Sequence, residues 1–291
     1  MVKKKLSAFD VINTCILSLF AFVCAYPFYY LIIYSLSNST EVARTDIWFL
    51  PVGFTIRNYK VLLSKPDIWR AMFISGARAV LGTTIMLTCS SFLAYLLSQR
   101  KLIGRKFFYR MTVVTMYLNA GIIPYFIIMK NYGLKNNFLL YIIPGAISAY
   151  NMILIKNYIE SLPFEMSEAA IVDGANHFQI FAKVIMPVCK PVLAAVGVFG
   201  AVGQWNSWQD NFYLVRNSNL KTLQLYLVEQ LQTLDTSVIA DINMALEKAQ
   251  KTSSMSVKTC IAVITMIPVM LVYPFLQKYF VKGIMLGSIK G

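Results

Sequence analysis

A chain of 291 residues that is 57% hydrophobic and only 14% charged, with mean hydropathy +0.59, is too apolar for an ordinary soluble fold of that length, so lipid is its expected solvent. A single histidine, His177, and 13 acidic residues leave almost no raw material for a metal centre or a histidine-based catalytic triad, which argues against chemistry in this chain. The formal charge of +14 fits a bias toward cytoplasmic loops better than nucleic-acid binding, and the five cysteines, without a C-x-x-C pair, read as small hydrophobes.

A helix that crosses hydrocarbon needs about 20 largely uncharged residues. Six stretches qualify: 11–36, 71–98 (broken only by Arg78), 111–129, 138–155, 191–209 and 259–277. Pro27, Pro124, Pro144, Pro268 and Pro274 fall inside them, tolerated where neighbouring helices and Ser/Thr side chains satisfy the freed backbone groups. The expected fold is all-α, a polytopic membrane helix bundle forming one transmembrane domain over 1–291. The basic start, MVKKK, precedes an apolar run too long for a secretory leader and without a small-x-small cleavage site, so it reads as an uncleaved first span.

Six spans put both termini on one side. With the termini inside, the cytoplasmic segments carry fourteen Lys and Arg against five acids, and the outer segments twelve against eight. Most of those outer bases lie in two longer loops, 37–70 and 213–257, where the charge rule is weak, so N-in, C-in is preferred.

Along the chain, Arg78 stands out first. It falls about 10 Å below the outer surface if its span begins near Trp69, and an intramembrane arginine is a functional hypothesis by default. Pairing with Asp210 and snorkelling outward are the structural alternatives. QRKLIGRKFFYR, residues 99–110, is purely basic and suits an anchor facing anionic lipid. Residues 157–190, between the fourth and fifth spans, are too long for a simple turn. There Pro163 opens a short helix with Glu165 and Glu168 near its N-terminus, and Gly174 stops it. Asn176, with Gln179 three residues on, caps a second helix that runs through Phe178, Phe181 and Val184 to Pro187. Such a bent pair either docks a partner through its small residues or merely closes the bundle. In the external loop 213–257, Leu223, Leu227, Leu231 and Leu234 recur at helical spacing and predict an amphipathic helix, for docking or for packing on the bundle.

The motif E-A-A-x-x-D-G-A, here Glu168, Ala169, Ala170, Asp173, Gly174 and Ala175, followed by Ile185, Met186 and Pro187, resembles the coupling loop of membrane subunits of bacterial binding-protein-dependent ABC importers. YPFYYLIIYSLS, LPVGFTIRNY, NAGIIPYF, IPGAISAYN, GQWNSW and YFVKGIMLGSIKG extend the resemblance over the whole chain, to the maltose-type second permease and closer still to permeases for complex saccharides such as alginate or pectin oligomers. The resemblance implies a type I importer fold whose loop seats in a cleft of an ATPase subunit. The tail, with Lys282, Gly283, Gly287 and Lys290, is similar to one that reaches into the ATPase dimer. It further implies a homologous second permease subunit, two ATPase subunits holding ATP and magnesium, an extracytoplasmic solute-binding protein, and the bacterial cytoplasmic membrane; no cofactor belongs to this chain.

An oligosaccharide path through such a bundle needs hydroxyl-bonding groups and flat aromatic faces. GQWNSWQDNFY supplies both in Gln204, Trp205, Asn206, Trp208 and Gln209, with Trp205, Trp208 and Gln209 on one face of a continued helix; an interfacial aromatic belt is the structural alternative. Arg78 would attract an acidic sugar, and Asn119 with Gly121 either borders the cavity or packs. No G-x-x-x-x-G-K-[ST] occurs, so ATP must be handled by a partner. The competing class, a secondary transporter driven by an ion gradient, calls for intramembrane carboxylates, and none lies in the middle of a span.

Overall fold

A computed structural model describes residues 7–42, 45, 47–118, 120–232, 255–272 and 274, and among these there is no strand. In chain order the helices longer than a single turn are α1 (Ala8–Ser35), α2 (Arg57–Leu63), α3 (Pro66–Ser98), α4 (Arg105–Tyr117), α5 (Ile122–Asn131), α6 (Ala149–Glu160), α7 (Glu165–Val172), α8 (His177–Val188), α9 (Lys190–Asn206), α10 (Gln209–Leu214), α11 (Leu223–Gln232) and α12 (Met255–Val272), with a single helical turn at Ser39–Val42. The all-α expectation holds for these residues. Asn119, Leu234 and the tail positions Lys282, Gly283, Gly287 and Lys290 lie outside them.

Three of the described helices, α1, α3 and α12, are each long and apolar enough to cross a membrane, and α8 with α9 makes a fourth if that pair, bent by 84°, counts as one span. The other apolar stretches are interrupted rather than continuous. Residues 111–129 divide between α4 and α5, where Gly121 takes φ +79°, a conformation that an L side chain resists. Residues 138–155 begin as a single 3₁₀ turn, Phe138–Tyr141, and resume as α6 only after Pro144 and Gly145. Residues 191–209 end as helix at Asn206, because Ser207 turns extended at ψ 130°.

The chain divides into two compact units, 1–66 with 229–267 and 67–228 with 268–291. In the first, the C-terminal end of α1 is tied down by polar groups while the rest of α1 is exposed. Asn58 donates through Nδ2 to the carbonyls of Ser35 and Ser37, at 3.4 and 3.1 Å, and the Val52 N–H donates to Ser37 Oγ at 3.1 Å.

In the second unit, two apolar cores sit toward opposite ends of α3. Ile74 packs with Leu134, Leu140, Tyr141, Leu214 and Val215 near its start, and Ala94, Tyr95 and Leu97 with Met152, Ile155, Ile180 and Phe181 near its end. At a rise of about 1.5 Å per residue, the 33 residues of α3 reach about 50 Å, longer than a hydrocarbon core of about 30 Å. The predicted external helix starts where expected, but its apolar face is not the Leu223–Leu227–Leu231 row: Leu223 and Leu225 are buried and Leu231 is exposed. The Leu223 N–H donates to Ser75 Oγ at 2.8 Å, which sets the helix start against α3.

Candidate functional site

The bent helix pair forms from local signals. Two acids in its first turn favour α7, and at its other end the Gly174 N–H donates to the Ile171 carbonyl (3.0 Å) and the Ala175 N–H to the Ala170 carbonyl (2.9 Å). That crossed pair is the Schellman stop, and it needs Gly174 at its observed φ of +80°. Asn176 and Gln179 then close a reciprocal capping box at 2.9 Å in each direction, which starts α8. Residues Ile180–Ile185 of α8 are π-helical, and a π turn carries an extra residue, so Ile180, Phe181 and Ile185 all stay buried against the core.

Of the motif residues, Glu168, Ala169, Asp173 and Gly174 are exposed, and the apolar side chains of Ile171, Val172 and Phe178 stand out beside them. Ala170 and Ala175 differ: they pack against the core cluster, so their small size serves the turn's own seating. Phe181 anchors the pair, with ring centroids 5.2 Å from Phe92 and 5.6 Å from Tyr95, while the Tyr95 hydroxyl lies 3.2 Å from His177 Nδ1. At the foot of α9, burial pushes the Cys189 thiol up to about 11. Beside α7 a cleft of about 800 Å³ is bordered by Gln99, Arg100, Lys101, Phe164, Glu168 and His177. Glu160 accepts from Lys156 Nζ at 2.7 Å and from Arg105, joining the nearby ends of α4 and α6.

Near the other end of α3 lies a cavity of about 440 Å³ with both apolar and polar lining. Its lining includes Arg78, Tyr125, Tyr141, Ser148, Asn151, Gln204 and Asp210. Arg78 is buried, 3% exposed, and its guanidinium donates to both Asp210 oxygens at 3.0 and 2.5 Å, to Gln204 Oε1 at 2.9 Å and to the Ser207 carbonyl at 3.2 Å. Its Cζ also sits 4.5 Å from the centre of the Tyr141 ring. A desolvated guanidinium requires such a full set of acceptors. Gln204 reaches it through a seam that only glycine leaves open, since a Cβ on Gly82 would come within 2.9 Å of the Gln204 amide. Ser148 caps α6, its Oγ accepting from the Asn151 N–H at 3.4 Å, and its own N–H donates to Ser90 Oγ at 3.1 Å.

The structure therefore gathers Arg78 and Gln204 into one site and disperses the rest of the expected row. Because α9 stops at Asn206, Trp208 and Gln209 do not continue the face of Trp205, contrary to the helical expectation. Trp208 instead packs edge-on against Phe212, at 6.0 Å, and Gln209 lines a neighbouring cavity of about 490 Å³. Asn206 is exposed and Trp205 half-buried. Tyr141, Tyr125, Ser148 and Asn151 were not foreseen. The Pro144–Gly145 break in an apolar run was the available signal, since irregular backbone at membrane depth belongs beside a cavity. Among the described residues no group of three His, Cys, Asp or Glu is placed to hold a metal.

Comparison with known proteins agrees along the full length. The chain is 33% identical over 283 residues to the polygalacturonan/rhamnogalacturonan transport system permease protein YtcP of Bacillus subtilis (strain 168), covering 97% of this chain and 98% of that one. It is 32% identical over 286 residues to protein LplC of the same organism, covering 97% and 95%. It is similar in structure to a chain of a bacterial ABC transporter involved in the import of the acidic polysaccharide alginate, with TM-score 0.80, 32% identity and coverage of 96% of this chain and 100% of that one. With residues 4–286 matching as well, the chain belongs to the family of binding-protein-dependent transport system inner membrane components, the permease subunits of ABC importers, and is a transport subunit rather than an enzyme.

Proposed function

We propose that this permease subunit moves an oligosaccharide, acidic in kind, across the bacterial cytoplasmic membrane, together with a homologous second permease, two ATPase subunits and an extracytoplasmic solute-binding protein. ATP and magnesium belong to the ATPase subunits. The chain crosses the membrane six times, N-in and C-in, with α4 and α5 as one broken span, the Phe138–Tyr141 turn and α6 as another, and α9 as the fifth. The Lys/Arg balance supports that orientation.

The observation that carries the energy-coupling role is the α7–α8 pair, whose exposed Glu168, Ala169, Asp173 and Gly174 stand on a turn bolted to α3 through Phe181. A partner that pushes on such a rigid knob moves the bundle; one that pushes on a loose loop does not. Ala170 and Ala175 hold the knob's shape, and Lys282, Gly283, Gly287 and Lys290 of the tail make a second contact with the ATPases. The substrate class rests on the relatives, named for polygalacturonan and for alginate, and on a cavity that offers amides, hydroxyls and tyrosine faces. Arg78 and Gln204 are its central polar groups, with Trp205, Asn206, Trp208, Gln209 and Asn119 along the rest of the path. An ion-gradient transporter, the competing class, needs no ATPase-docking knob.

The test is a reconstituted complex carrying Glu168→Ala and Gly174→Ala together. Saccharide-stimulated ATP hydrolysis is expected to be lost while the permease still inserts and purifies as folded protein. Full coupled transport by that variant would remove the docking role.

A further inference from the structure

The lining of the 440 Å³ cavity holds one cation, Arg78, and one anion, Asp210, and they are spent on each other. A bare arginine in a desolvated site would bind a carboxylate so well that the ligand would not leave, which is useless in a transport path. Here the anion is built in. Asp210 stands in the wall between two cavities, because Asp210, Ser207 and Tyr125 line both this one and its neighbour of about 490 Å³. Each member of the pair also keeps other partners. Arg78 is held by Gln204 Oε1 and the Ser207 carbonyl, while Asp210 Oδ1 accepts from the Asn211 N–H at 2.8 Å and lies 3.5 Å from Ser207 Oγ. Parting them strands neither charge without hydrogen bonds.

We propose that Arg78 and Asp210 form an exchangeable counter-ion pair: a uronate carboxylate of the passing saccharide takes the place of Asp210 on the guanidinium, and the return of Asp210 expels it. Asp210 is thereby the residue that decides how long an acidic sugar stays, and Gln204 positions Arg78 for the exchange. This rests on the acidic-oligosaccharide reading above. It adds that the selectivity lies in competition between two carboxylates and not in the arginine alone.

The experiment compares uptake of a galacturonate oligomer and a neutral oligosaccharide of equal length by the complete importer in proteoliposomes. Asp210→Asn is expected to lower the half-saturating concentration for the acidic oligomer and cut its maximal rate, each on the order of tenfold, with clearly smaller changes for the neutral sugar. Equal changes for both sugars would make the pair a purely structural pin and overturn the exchange while leaving the substrate reading intact. Should Asp210→Asn fail to assemble, the uncharged double variant Arg78→Gln with Asp210→Asn is measured. It is expected to lose the preference for the acidic oligomer, and a retained preference overturns the proposal. Uptake of neither sugar by the unaltered importer removes the substrate reading itself, and the exchange with it.

Discussion

Gly174 shows how much one residue decides at the coupling turn. Nothing lies within 4 Å of where its Cβ would be, so a side chain there meets no clash; the only obstacle is the φ of +80°. Alanine in that left-handed region costs about 1–2 kcal/mol, whereas asparagine tolerates it better. Denaturation midpoints of the purified subunit are therefore expected to fall in the order Gly174, Gly174→Asn, Gly174→Ala. Identical midpoints for glycine and alanine would show that the turn relaxes to another conformation. This residue was legible from its surroundings alone: an acidic first turn before it and Asn176 with Gln179 after it are signals confined to a few positions. Arg78 was not legible in the same way. Pairing with Asp210 was one of the alternatives its sequence position offered, and the structure has it, but the Gln204 and Ser207 acceptors, 126 and 129 residues downstream, carry no local signal.

At the scale of elements, interruption was the part hardest to foresee. Hydropathy sees residues 111–129 and 138–155 as even apolar runs, yet Gly121 and the Pro144–Gly145 step divide them. The breaks place Tyr125 and Tyr141 on the cavity, which an unbroken pair of helices would not require. The π turn of α8 is the corresponding device on the coupling side. It keeps Ile180, Phe181 and Ile185 facing inward while Phe178 stays exposed. Inserting an alanine after the exposed Ala182 adds a residue beyond the one that the π turn already absorbs, and is expected to rotate the part of α8 before it by about 100° relative to the part after it. The core anchor and the exposed motif then no longer face their separate partners, so coupling of ATP hydrolysis to transport should be lost while membrane insertion survives. Undiminished coupling after the insertion would mean that the orientation of α7 is set by something other than α8.

For the whole molecule the question is which end of α3 meets the cytoplasm. About 30 Å along that helix separates Arg78 from Ser98, a distance comparable to the hydrocarbon thickness, and the cavity and the α7–α8 knob lie toward its opposite ends. Purely basic residues 99–110 follow the knob's end of α3, and by the Lys/Arg rule that end is expected inside. At the other end the turns are knitted together, Asn136 Oδ1 accepting from the N–H groups of Arg216 and Asn217 and the Tyr141 hydroxyl donating to the Leu220 carbonyl at 2.7 Å, as suits a face that must hold its shape in water. Two single substitutions to cysteine read the orientation directly. Asp173→Cys is expected to react with a membrane-impermeant maleimide only in inverted vesicles, and Asn217→Cys only in intact cells. The exposed native Cys15 and Cys24 are first changed to serine, and the native Cys189 adds little background because it is buried. The reverse labelling pattern would put the knob outside, where no ATPase can grip it, and the energy for transport would have to enter elsewhere.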